Sequence, residues 1–370
     1  MTESYTAITN GIIFTGAELI SNRTVLIKGA KIAGIIRSVD IPAGTKIIDV
    51  KGNYVVAGFI DLQIYGGGSH LFSANPTKAT LREIAQSLVK KGTTGFLITM
   101  ATNPPETIST ALQELYDFQH PALLGIHLEG PYINPEKRGA HPEIYIRKPE
   151  RSAIIELLDY AGPNLRMMTI APERFDDDTI ALLLQRGIVL SAGHSNATFN
   201  EATHGFQLGI QAVTHFFNAM SPFHHRNPGL PGATFQSDSA VASIIVDGIH
   251  VDYQSVAITK RLLGDRLFLI TDAVVTTDLG IYTHVFTGDR YTLPDGTLSG
   301  SALTMMEAIA NCVRFVGIPL EEALRMGTLY PAKLIGDENI GRIAVGAIAN
   351  LVIFDTDYTV KHVFLEGSIQ

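Results

Sequence analysis

The chain has 370 residues, 46% of them hydrophobic, with 34 glycines and a formal net charge of −8. That is enough for one large core with a smaller satellite domain, and it is unlike a disordered protein. No block of Lys and Arg offers a nucleic-acid footprint, and no apolar stretch reaches the roughly 20 residues that span a bilayer, so neither kind of partner is expected.

The polar start Met1-Thr2-Glu3-Ser4 lacks the charged-then-apolar order of a signal peptide, and a cytoplasmic location is expected. Brief apolar alternations follow at 7–14, 24–27, 31–36 and 46–50, separated by Gly, Asn and Pro turn signals. The same style returns at 341–345, 350–354 and 360–366, so residues 1–54 and 336–370 are expected to form one small β-sandwich domain. Residues 55–335 are then inserted between them. Within that insertion, strand-like runs at 55–63, 94–100, 122–129, 165–171, 187–191, 211–215, 241–247 and 266–271 alternate with helical periodicity, as at 78–91, 105–118, 176–186 and 253–263. Eight β/α units predict an α/β fold of the (β/α)8 TIM-barrel type, with a doubly wound open sheet as the competing architecture. The single cysteine, Cys312, falls in a helix-like stretch and reads as a small buried apolar residue.

Four polar clusters sit where predicted strands end: Glu129-Gly130-Pro131, Gly193-His194-Ser195-Asn196-Ala197, Thr214-His215-Phe216-Phe217-Asn218-Ala219-Met220 and Thr271-Asp272-Ala273. In a closed parallel barrel, residues at the carboxyl ends of different strands converge on one face. Alone, Glu129 would be a carboxylate turning into solvent, and one histidine a hydrogen-bonded core residue. Two histidines on neighbouring strands plus a carboxylate make three candidate ligands for a divalent ion with one open position. Asp272 follows the eighth strand and reads as a general base, against the plainer reading of a helix N-cap before Ala273.

Further pieces extend the pattern: Ala57-Gly58-Phe59-Ile60-Asp61, His127-Leu128-Glu129-Gly130-Pro131-Tyr132, Gly139-Ala140-His141, His225-Arg226-Asn227-Pro228-Gly229, Asp247-Gly248-Ile249-His250-Val251-Asp252 and Leu298-Ser299-Gly300-Ser301. With these the chain resembles the amidohydrolase superfamily, and within it the N-acetylglucosamine-6-phosphate deacetylases, over nearly its whole length. The resemblance implies Glu129, His194 and His215 as metal ligands, Asp272 as acid and base, and His250 as the group that polarises the acetyl carbonyl. It implies that His141 and the backbone around Ala140 hold the sugar, and that Asn218, Ala219 and Arg226 meet the phosphate. Asp247, Gly248 and Ile249, and the turn Leu298-Ser299-Gly300, are carried as substrate-binding. The expected reaction is metal-dependent removal of the acetyl group from N-acetyl-D-glucosamine 6-phosphate, by a homodimer. Two alternatives stand beside it: a deacetylase of N-acetylgalactosamine 6-phosphate, and a barrel without catalysis that serves as a binding module.

Two departures from the wider superfamily are visible. Most members carry His-x-His after strand one, where this chain has Gln63-Ile64-Tyr65. An amide and a phenol are poor ligands for a divalent transition metal, so a single ion is expected, zinc first, with iron, manganese and cobalt open. Asn350 stands where an Asp is usual near the carboxyl end, and a minor effect is expected.

Overall fold

Strand-forming runs stopped by glycines or polar turns build a sheet of eight strands whose order in space follows the chain. The computed structural model describes residues 4–277 and 279–370, and the polar start Met1-Thr2-Glu3 lies outside the described residues. The strands are β1 (Phe59–Ile64), β2 (Thr93–Ala101), β3 (Leu123–Glu129), β4 (Leu165–Ile170), β5 (Val189–Ala192), β6 (Ala212–Val213), β7 (Val241–Ile244) and β8 (Leu267–Leu269). β1 and β2 are buried along their whole length, as parallel strands covered on both faces must be. The first and last strands meet at their carboxyl ends. There Ile64 bridges Ala273 in parallel, and the Asp272 N–H donates to the Gln63 carbonyl at 2.9 Å. The sheet is thus a (β/α)8 barrel, and the open-sheet alternative falls.

The helices lie where periodicity and capping place them. Helix Asp177–Gln185 starts where the Asp176 side chain accepts the Thr179 N–H, and Phe199–Leu208 opens on a capping box between Thr198 and Glu201. Helix Tyr253–Leu263 matches its predicted bounds and is capped by Asp252.

By compactness the chain falls into two units. One takes in the chain up to Asp61 with Gln86–Gly95 and Thr304–Gln370, and the other is Leu62–Ala85 with Phe96–Leu303. The first unit holds a β-sandwich. Its four-stranded sheet runs Lys31–Ile36, Thr24–Lys28, Tyr5–Thr9, Lys46–Asp49, and its six-stranded sheet runs Ser368–Ile369, Val360–Leu365, Leu351–Phe354, Tyr54–Ala57, Ile12–Phe14, Leu19–Ile20. Ile8, Val25, Ile27, Val55, Leu351 and Phe364 share its core. Cys312 is fully buried at the head of the π-helical turn Cys312–Val316. Asn350 closes a hairpin, its side-chain oxygen accepting the Glu366 N–H at 2.8 Å.

One boundary differs from the sequence reading. The apolar run at 55–63 is two strands: Tyr54–Ala57 pairs with Leu351–Phe354 and Ile12–Phe14 in the sandwich, and only after Gly58 does the chain become β1. A Cβ on Gly58 would stand 1.8 Å from Thr94 Oγ1. Periodicity cannot show a break at the one residue that must lack a side chain.

Candidate metal centre

Glu129 is the last residue of β3 and is 2% exposed. His194 follows β5 by two residues, His215 follows β6 by two, and Asp272 follows β8 by three. All three leave the sheet through left-handed backbone, at φ 47°, 29° and 54°, and this turns their side chains away from the strand direction. The imidazoles converge on the Glu129 carboxylate: His194 Nε2 lies 3.3 Å and His215 Nε2 3.1 Å from Oε1, and the two nitrogens are 3.0 Å apart.

Proton positions follow from the partners. The Lys137 carbonyl can only accept, so His194 Nδ1, 2.8 Å away, carries its proton and Nε2 of the neutral ring is a lone pair. A lone pair, a carboxylate oxygen and a second imidazole nitrogen at these distances form a set that can hold a cation among them. The donor set of one carboxylate and two imidazoles suits a divalent transition metal. His141 also belongs to the cluster: Glu129, His141 and His194 each place a ligand atom within 4.8 Å of the others. The Thr102 N–H donates to His141 Nδ1, so in the neutral ring Nε2 carries the proton and donates to Glu129 Oε2 at 3.1 Å. His141 therefore braces Glu129 as a donor.

Gln63 and Tyr65 occupy the place of the missing histidine pair and act as donors there. The Gln63 amide nitrogen bridges the two carboxylates, 2.9 Å from Glu129 Oε1 and 2.7 Å from Asp272 Oδ1, and the Tyr65 hydroxyl donates to Glu129 Oε2. Burial, together with the charges of Glu129 and Asp272, pushes the Tyr65 phenol well above its ordinary value, so it stays protonated. Burial pushes the Glu129 carboxyl up, but the neighbouring imidazoles of His194, His141 and His215 outweigh it and hold the group well below the usual carboxylate range. Sequence inspection identified Gln63 and Tyr65 as departures; it had no means of naming the oxygens they serve.

Below the cluster a chain of hydrogen bonds crosses the barrel strands. Burial lowers the His127 pKa to about 4, so the ring is neutral. Its Nδ1–H donates to the Leu62 carbonyl, and Nε2 accepts from Thr169 at 2.7 Å; Thr169 accepts from Thr214, and Thr214 from Ser191. Thr169→Val breaks this line in the middle and strands two buried polar groups. A loss of about 1–3 kcal/mol in stability is expected, read as a lower urea midpoint with unchanged slope.

The buried histidines also set an acid limit. Burial, the largest cause in each case, lowers both His127 and His141 to about 4, against an unfolded value of about 6.5. Between those values the unfolded chain binds more protons than the folded one. Stability is therefore fully present above pH 6.5 and is lost as pH falls toward 4, by roughly 3 kcal/mol per histidine at most. Below the ordinary carboxylate value Glu129 acts in the same direction. Melting temperature of the metal-free protein followed from pH 7 to 4.5 checks this, and a flat profile would contradict it.

One cleft gathers Glu129, His194, His215, Asp272, His250, His141, Ala140, Asn218, Ala219, Leu298, Ser299 and Gly300. His250 points its free nitrogen there because Nδ1 is 2.6 Å from Asp247 Oδ2, while Asp247 Oδ1 accepts the N–H groups of Ile249 and His250. Gly248, at φ 74°, makes that turn; a Cβ would stand 2.7 Å from the Tyr253 ring. Asp247, Gly248 and Ile249 thus shape the turn, and of the four only His250 lines the cleft. Arg226 is not brought into it; it lines a separate depression with Asn196, Thr198 and Phe199. Tyr282 and His284 also line the cleft and went unnoticed in the sequence. No regular pattern marks the segment that follows β8.

Comparison with known proteins agrees with this geometry. The family model described as the amidohydrolase family matches residues 54–369, and the one described as the NagA composite domain matches residues 5–55. N-acetylglucosamine-6-phosphate deacetylase of Haemophilus influenzae is 37% identical, with 98% of each chain covered. N-acetylgalactosamine-6-phosphate deacetylase of a Shewanella species is 35% identical over 85% of this chain and 82% of its own. The crystal structure of N-acetylglucosamine-6-phosphate deacetylase from Pasteurella multocida superposes with a TM-score of 0.94 at 37% identity, covering 99% of both chains.

Proposed function

The chain belongs to the amidohydrolase family, and from that membership we propose that it hydrolyses N-acetyl-D-glucosamine 6-phosphate to D-glucosamine 6-phosphate and acetate, a step of amino-sugar catabolism. The observation that carries this reading is the cleft in which the Glu129, His194 and His215 ligand atoms stand beside Asp272, with the Gln63 amide joining the two carboxylates.

Glu129, His194 and His215 are the proposed ligands of one divalent ion, zinc by preference, with iron, manganese and cobalt as alternatives. Bound there, such an ion supplies Lewis acidity, lowering the pKa of water toward about 7 and drawing charge from a carbonyl. Asp272, oriented by Gln63, accepts the proton that the attacking water releases and returns it to the departing nitrogen. His250, braced by Asp247, donates to the acetyl oxygen as charge gathers on it. Ala140, His141 and the turn Leu298-Ser299-Gly300 hold the sugar, and Asn218 and Ala219 receive the phosphate inside the cleft. Arg226 is proposed as a further phosphate contact, offered from its exposed loop. Gln63 and Tyr65, engaged as donors to carboxylates, leave no ligand for a second ion on that side.

A second reading, deacetylation of N-acetylgalactosamine 6-phosphate, is supported by the 35% identity to the Shewanella enzyme. We place the enzyme in the cytoplasm and, as the resemblance implies, as a homodimer. No helix among the described residues is long and apolar enough to cross a membrane. Acetate release from both sugar phosphates, measured beside bound metal and solution mass, tests the whole reading. Metal-dependent release with the gluco substrate ahead is expected. Release from neither substrate by metal-loaded protein would favour a binding module.

A further inference from the structure

His284 lies in the segment that leaves β8 and is 5% exposed, yet the reaction as described makes no use of it. The hairpin of Val285–Phe286 with Tyr291–Thr292, continued by a bridge from Thr292 to Leu298, brings His284 beside Ser299. Three groups fix its ring. Tyr282 stacks on it with the planes 3° apart and centroids 5.8 Å apart, and Tyr291 meets it at 82°. Ser299 Oγ lies 3.0 Å from Nδ1. Tyr282 is itself anchored, its hydroxyl donating to the Thr102 carbonyl at 2.6 Å.

The other ring nitrogen, Nε2, has no protein partner among the described residues, and the residue lines the cleft. A histidine serving only the core would use both nitrogens. Burial keeps His284 neutral, its pKa lowered to about 4, so it offers a directed hydrogen bond and no charge.

Resting on the function proposed above, we infer that His284 determines sugar specificity by hydrogen-bonding its Nε2 to a ring hydroxyl of the substrate. The acetyl end of the sugar belongs to the Glu129 cluster and the phosphate end to Asn218 and Ala219. The wall formed by Tyr282, His284 and Ser299 is left to face the pyranose ring, whose C3–C4 edge between those ends carries two hydroxyls. An epimer that moves the partner hydroxyl strands a buried polar group, and discrimination of this kind exceeds what an apolar wall achieves.

The test couples a protein change to a substrate change. N-acetylglucosamine 6-phosphate and its 3-deoxy and 4-deoxy analogues are assayed with wild-type protein, His284→Phe and His284→Gln, all metal-loaded. His284→Phe is expected to lower kcat/KM on the parent by about 5- to 100-fold, chiefly through KM and with unchanged bound metal. On one deoxy analogue the same change should cost less than about 2-fold, because the partner is already gone. His284→Gln, which carries an amide nitrogen near the position of Nε2, should recover part of the loss. Should His284→Phe fold poorly, Ser299→Ala frees the ring and should show the same analogue pattern more weakly. An equal penalty on all three substrates, or none, overturns the inference while the functional reading stands. No acetate from wild-type protein on the parent compound removes both.

Discussion

Asp272→Asn is expected to lower kcat by about 10²- to 10⁴-fold while bound metal stays at the wild-type level. Asparagine keeps the shape, and its side-chain oxygen can still accept the Gln63 amide that lies 2.7 Å from Oδ1. It also tolerates the left-handed backbone at φ 54° better than most residues. The Asp272 N–H to the Gln63 carbonyl, part of the barrel closure, is a backbone bond and survives. Only the capacity to take up a proton is removed. Single-turnover acetate release and metal stoichiometry on the same sample check this, and near-native turnover in a metal-replete variant would refute the role of Asp272.

Glu129→Gln has the opposite signature: metal is lost first and activity with it. The Glu129 carboxylate accepts from Gln63, Tyr65 and His141 and faces two further imidazoles, so every neighbour is arranged around an anion. An amide places an NH₂ against donors that need an acceptor and withdraws the negative charge. Loss of an outer hydrogen-bonding partner typically weakens metal binding about 10–100-fold, and loss of the carboxylate ligand should exceed that. Stability should fall as well, by about 1–3 kcal/mol, since the variant leaves buried donors unmatched. Titration against a metal buffer and thermal melting of the metal-free protein read the two effects separately. The two variants together divide ion binding from proton transfer. A Glu129→Gln protein that holds metal as wild type does would place the ion elsewhere.

The parts of this architecture that were legible in the sequence are those governed by local pattern. Strand runs ending in Glu129, Gly193-His194, Thr214-His215 and Thr271-Asp272 announced a barrel and its site because pleat and burial impose a simple apolar rhythm. Gly58 was opaque, because an apolar run continues across it while the chain passes from the sandwich sheet into β1. Tyr282 and His284 were opaque for another reason: a small hairpin and aromatic stacking, with no periodic signal, hold them at the cleft. Gln63 and Tyr65 were visible as residues that cannot replace histidine. Their use as donors joining Glu129 to Asp272 depends on contacts 66 and 209 residues distant in sequence. Arg226 illustrates the converse, since its motif is present but its side chain lines a different depression.

The left-handed backbone at His194, His215 and Asp272 has a consequence for how this protein can change. Non-glycine residues in sparsely populated conformations cost on the order of 1–3 kcal/mol each. At all three positions glycine would relax the chain, and each such replacement deletes a proposed ligand or the proposed base. Laboratory selection for heat resistance alone would therefore drift toward a barrel with an empty mouth. Backbone relaxation and turnover pull in opposite directions at these three positions, and any screen for robust variants must select for turnover at the same time.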